Sequence, residues 1–154
     1  MAKKSLIAAL LSIALNAYCI AEVSVAITNL QQGDESEGSP TVFQLSRTGD
    51  TSTPLSVNLL LRGTALPDLD YIPPTEATGP HSLTFAAGEN SRTLSIPTVT
   101  DDISDPGESL MAILQTGTGY SITPGMGRAA AIIRAENLSS GISDAGYAVG
   151  KSYT

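Results

Sequence analysis

All nine prolines of the 154-residue chain fall between positions 40 and 124, and glycines are scattered among them at short intervals. Proline removes a backbone donor and clashes inside a helix, so this punctuation confines regular structure to short segments. Those segments alternate. Val23, Val25 and Ile27 interleave with Ser24, Ala26 and Thr28, the period-2 pattern of a half-buried strand. Thr41 to Arg47 repeats it with Phe43 and Leu45, and Leu55 to Arg62 with Val57, Leu59 and Leu61. Ser82 to Ala86 (Leu83, Phe85) and Arg92 to Thr100 (Leu94, Ile96, Val99) follow, then Leu110 to Leu114. Polar, turn-rich stretches separate them: Gln31 to Pro40, Thr48 to Pro54, the proline-rich 63–80, and Thr116 to Gly127. Arg128 to Glu136 is alanine-rich and taken alone favours a helix, but its brevity between turn residues in a β chain predicts a strand. The expected fold is all-β, an immunoglobulin-like two-sheet sandwich of about seven to eight strands with loops at its two ends.

The first residues read as a secretory leader. Met1-Ala2-Lys3-Lys4 is basic, Ser5 to Ala17 is apolar, and Cys19-Ile20-Ala21 offers small residues to a signal peptidase. The apolar run is too short for a membrane span, and Asn16-Ala17-Tyr18 before Cys19 is a poor lipidation signal. The expected organisation is a leader over 1–21, a sandwich over 22–137 and a tail over 138–154. Cleavage after Ala21 removes the only cysteine and leaves six basic against fifteen acidic residues, a net charge of −9 rather than −7. Such a surface repels nucleic acid and anionic membrane, and no membrane insertion of the mature chain is expected. A chain of this length can bury a core without disulfides.

The most distinctive chemistry lies between Asp101 and Glu108. Asp101, Asp102, Asp105 and Glu108 crowd four carboxylates around the turn Ile103 to Gly107. Close negative charges are unfavourable unless water or a cation screens them.

The order of several landmarks resembles the Calx-beta family, immunoglobulin-like modules of sodium/calcium exchangers, integrin tails and bacterial surface proteins. They are Ser36-Glu37-Gly38 before Phe43-Gln44-Leu45-Ser46-Arg47, then Gly63-Thr64-Ala65 with Asp68-Leu69-Asp70-Tyr71. Leu83-Thr84-Phe85-Ala86-Ala87-Gly88-Glu89 and Leu94-Ser95-Ile96 follow, leading to the acidic turn, so the resemblance covers about Val23 to Asn137. It implies a Ca²⁺ site at one end of the sandwich. Its ligands would be Glu37, Asp70, Asp101, Asp102, the carbonyl of Ile103, Asp105 and Glu108, with Glu136 from the segment after the last strand. Calcium-binding members carry an aspartate run there, whereas this chain reads Ala135-Glu136-Asn137, which implies one weaker site in place of a multi-ion cluster. The plainer reading of the same residues is turn chemistry, with Asp70 capping its own loop while Tyr71 packs on the core.

No catalytic constellation is visible. His81 is the only histidine and is expected in an exposed loop, with no partner for a triad or a zinc site. Gly125-Met126-Gly127-Arg128-Ala129-Ala130 mimics a dinucleotide fingerprint without its βαβ context. Asn137-Leu138-Ser139 is a glycosylation sequon only in a eukaryotic secretory route. The sequence therefore predicts a non-enzymatic, secreted or cell-surface structural module, exported by a bacterium. It would assemble with copies of itself or other surface proteins into a filament or surface layer. The spaced apolar residues Ile142, Tyr147, Val149 and Tyr153 of the tail would add a strand to a neighbour's sheet edge. A Ca²⁺-binding adhesion or regulatory domain is the alternative. A carbohydrate-binding module comes third, disfavoured by the absence of tryptophan.

Overall fold

The structure is a computed structural model that describes residues 22–74, 81–100 and 106–134. Nine strands make two stacked sheets: β1 (Ser24–Gln31), β2 (Gly33–Asp34), β3 (Thr41–Thr48), β4 (Leu55–Gly63), β5 (His81–Phe85), β6 (Ser91–Ile96), β7 (Glu108–Leu114), β8 (Ser121–Ile122) and β9 (Arg128–Arg134). One sheet has the order β6-β3-β1-β8 and the other β2-β9-β7-β4-β5. Most pairings are antiparallel; β1 with β8 and β2 with β9 are parallel. The all-β sandwich expected from the alternation is present, and the two additional strands, β2 and β8, are two-residue pieces inside stretches read as loops.

Alternation decides which side chains fill the space between the sheets. Val25 and Ile27, Phe43 and Leu45, Val57, Leu59 and Leu61, Leu94 and Ile96, and Leu110, Ala112 and Leu114 are all buried. In β9, Ala129, Ala131 and Ile133 point inward while Ala130 and Ile132 face out, so the alanine-rich run is a strand as the β context required. Burying this set at about 25 cal/mol per Å² is the main stabilising term, and no disulfide assists it in the described residues. Leu83, expected inward, is only half-buried, and Val99 lies beyond the end of β6, which stops at Ile96 before Pro97. Proline cannot donate to the ladder, so the strand ends there.

The chain changes sheets between β1 and β2. A register shift falls between Asn29 and Gln31, where the Asn29 amide donates to the carbonyls of Gln31 (2.8 Å) and Val42 (3.1 Å). The Gln32 side chain then donates to Asn29 Oδ1 (2.8 Å) and accepts the N–H of Ile132. These side-chain amides satisfy backbone groups that the break in the ladder would otherwise strand. The crossing delivers Gly33 and Asp34 beside Ile133 and Arg134 of β9, at the end of the sandwich where β4 and β6 finish and β3 and β7 begin.

His81 corrects its sequence reading. It is buried at the head of β5, opposite Leu59, not exposed in a loop. The period-2 pattern of Phe85 and Leu83 extends one step further back than the sequence suggested, and places the imidazole inward.

Candidate metal centre

Three loops meet at the pole where β7 begins. The first follows β2. Asp34 accepts hydrogen bonds from Ser36 Oγ (2.6 Å) and the Glu37 N–H (3.2 Å), a side-chain turn that reverses the chain within three residues. These donors, the Ser36 hydroxyl foremost, hold the Asp34 carboxyl below its ordinary pKa. Gly38 adopts φ +61° and passes its N–H to the Glu35 carbonyl (3.2 Å), completing the reversal. Alternation carried on from the buried Gly33 turns Glu35 inward, only 4% exposed, whereas Glu37, past the turn at Asp34, is exposed. Gly33 itself has no room for a side chain, since a Cβ would lie 2.7 Å from Thr41 Oγ1 and 2.8 Å from Thr98 Cγ2. Two further hydrogen bonds fix Glu35's backbone, its N–H to the Arg134 carbonyl (3.1 Å) and its carbonyl from the Thr100 hydroxyl (3.0 Å).

The second loop leaves β4. Asp70, 8% exposed, accepts the Leu66 N–H through Oδ2 at 2.6 Å, while its own N–H returns to the Leu66 carbonyl (3.0 Å). Asp68 between them takes φ +67°, a left-handed conformation that aspartate tolerates better than most residues. The loop is tied to the other sheet by Val99 N–H to the Asp70 carbonyl (3.0 Å) and Ile72 N–H to the Pro97 carbonyl (2.8 Å). Tyr71 is buried beneath it. Burial raises the Tyr71 phenol above its ordinary pKa. Asp70 thus does cap its own turn, as the plainer reading of the sequence held, and it also faces a second group of acids.

Glu108, the half-buried first residue of β7, supplies the third carboxylate. Glu35, Asp70 and Glu108 each offer an oxygen, and the three oxygens lie within 4.8 Å of one another. Carboxylates gathered this closely and shielded from water are unfavourable as three bare anions, whereas a hard divalent cation turns the same proximity into coordination. Calcium accepts six to eight oxygens at flexible geometry, so three mono- or bidentate carboxylates with backbone carbonyls and water can complete its shell.

Of the residues that the sequence put forward, Asp70 and Glu108 belong to this group. Glu37, the expected ligand of the first loop, points to solvent, and Glu35 stands in the inward position instead. The reason is the Asp34 turn, which puts residues 35 and 37 on opposite sides of the loop. Asp101, Asp102, Ile103, Asp105 and Glu136 lie outside the described residues. So do Ile142, Tyr147, Val149 and Tyr153, on which the expected strand exchange rested, and the leader over 1–21. No helix among the described residues is long and apolar enough to cross a membrane.

No family model matches the sequence, and no curated protein does. Solved structures do resemble it. The apo-form Calx CBD1 domain superposes with a TM-score of 0.59 at 19% identity, over 75% of this chain and 99% of that one. CBD12 from CALX1.2 gives 0.57 at 21% identity, and the calcium binding domain CBD12 of CALX1.1 gives 0.55 at 20%. These two overlaps span 72% and 70% of this chain but 44% and 43% of the longer chains. With two sheets, nine strands and the acidic loops at one pole, the chain has the fold of the Calx-beta domains.

Proposed function

We propose that this chain is a calcium-binding interaction domain. The observation that carries the reading is the convergence of Glu35, Asp70 and Glu108, two of them buried, with oxygens within 4.8 Å of one another. A structural neighbour described as a calcium binding domain supports it. An ion held there would tie together the loop after β2, the loop after β4 and the start of β7. All three border the five-stranded sheet, whose pole would stiffen.

The test is calorimetric titration of the protein with Ca²⁺, together with thermal unfolding in Ca²⁺ and in chelator. Ligand at a hundredfold excess over its dissociation constant stabilises the folded state by about 2.7 kcal/mol. For a chain of this size that raises Tm by roughly 8 °C. Absence of heat together with an unchanged Tm at millimolar Ca²⁺ would sink the proposal. Magnesium serves as the control, because its preference for a rigid octahedron is poorly met by three carboxylates from two loops and a strand end.

A further inference from the structure

The outward face of the five-stranded sheet differs in charge from the chain as a whole. Alternation sends every second residue of β4, β7 and β9 into the core and turns the others out. Arg62, Met111 and Ala130 form one outward row across the three strands, and Leu60, Ile113 and Arg128 the next. Fifteen acidic against eight basic residues make the chain acidic, yet no described carboxylate takes an outward position on these strands or on β5. Arg62 and Arg128 are exposed, and neither forms an ion pair with a described carboxylate. Arg134, the next cation along β9, differs from them, because Asp34 stands beside it on β2.

The centre of the face is apolar. Leu60, Met111 and Ile113 are half-buried between the two arginines, and Ile132, on the far side of Ala130, is exposed. The face is also not flat. Where Ile113 and Arg128 end the rows, the loop after β8 rises beside them, and together with Ile122, Pro124 and Gly127 they line a recess of about 320 Å³. Apolar surface bordered by arginine, with a recess for one anchoring side chain, is the make-up of an interaction hot spot.

We propose that this face seats an amphipathic α-helix of a partner protein. The apolar stripe of the helix would lie on Met111 and Ile113 with one large apolar side chain in the recess, and carboxylates on its two flanks would meet Arg62 and Arg128. The face of a sheet offers no free backbone donors or acceptors, so its occupant must satisfy its own, which a helix does and a lone extended strand does not. The distance from β4 across β7 to β9 is about 10 Å at the usual strand spacing, the width of one helix. The arginines stand on the two outer strands of that span, which asks for acids on both sides of the stripe. A second copy of this chain offers no helix among the described residues. Nucleic acid and anionic membrane are repelled by the net charge of the whole molecule. The seat uses none of Glu35, Asp70 and Glu108, and it stands or falls separately from calcium binding.

Fluorescence anisotropy of the full chain in chelator, with three labelled synthetic helices, tests it. The first peptide carries a leucine stripe flanked on both sides by glutamates, the second has glutamine for every glutamate, and the third has alanine for every leucine. The first should bind saturably and the other two about tenfold more weakly or less, since each lacks one half of the recognition. Arg62→Gln combined with Arg128→Gln should reduce binding of the first peptide to the level of the second. Met111→Glu should abolish binding, and Ile132→Glu, at a more exposed position, should weaken it in a chain that circular dichroism shows to be folded. No saturable binding of the leucine–glutamate peptide overturns the proposal. So does equal affinity for the glutamine peptide, or binding that the arginine pair and both glutamate variants leave unchanged. Binding that appears only once residues 138–154 are removed also overturns it, because the face then belongs to the chain's own tail.

Discussion

At the scale of single residues, Asp70 performs two tasks that substitution can separate. Its Oδ2 satisfies the Leu66 N–H, and its charge faces Glu35 and Glu108. Asp70→Asn keeps an oxygen for Leu66 and loses the charge, so it should fold and lose the stabilisation by Ca²⁺. Asp70→Ala also strands the Leu66 N–H, and should lower stability by about 1–3 kcal/mol in urea unfolding even in chelator. Glu35→Gln relieves crowding among three acids, so the chelated protein should unfold at an unchanged or higher Tm while its calcium affinity falls at least tenfold. Asp70 and Glu108 were legible from their places beside Tyr71 and in the acidic turn. Glu35 was not, because Gly33-Asp34-Glu35-Ser36-Glu37-Gly38 reads as solvated loop throughout. Its burial follows from Gly33 pairing with Ile133 and from the turn at Asp34, neither of which has a periodic signature.

At the scale of elements, the long strands were readable because each alternates over several residues, and even the alanines of β9 obey the period. The short strands were not: β2 and β8 exist only because β9 and β1 offer them an edge. The close approach of β4 and β7 is equally invisible in sequence, although Gly63 marks it. That residue takes φ +147°, and a Cβ there would lie 1.9 Å from the Ser109 carbonyl oxygen. Since that obstacle is backbone, no rotamer change relieves it, and Gly63→Ala should cost roughly 3 kcal/mol or more. Gly88 is the matched control, with φ +81° and nothing within 4 Å of the added carbon. Gly88→Ala carries only the left-handed penalty of about 1–2 kcal/mol. Denaturant midpoints that shift equally in the two variants would show that conformation, not contact, sets the cost at Gly63.

At the scale of the whole molecule, the response to acid should have two origins. His81 is buried at the edge of the five-stranded sheet, and desolvation lowers its pKa below the ordinary 6.5. Below that value the unfolded chain takes up a proton that the folded chain resists, so unfolding gains protons and stability falls as the pH is lowered. The loss begins near pH 6.5 and ends once the folded imidazole is itself protonated. Asp34, Asp50 and Glu89 respond differently, since hydroxyl and amide donors hold their carboxyls below the ordinary values of 3.8, 3.8 and 4.5. Their stabilisation is present above those values and is lost only as the pH falls through the lower folded ones. His81 is the only histidine, so the part of the decline that vanishes when it is replaced belongs to a single side chain. Melting curves between about pH 8 and about pH 5 should show a declining Tm that is flattened in His81→Leu. Chelator should be present throughout, because protons competing for Glu35, Asp70 and Glu108 would release calcium and add a slope of their own. An equal decline in both proteins would mean that the imidazole is as easily protonated in the fold as out of it.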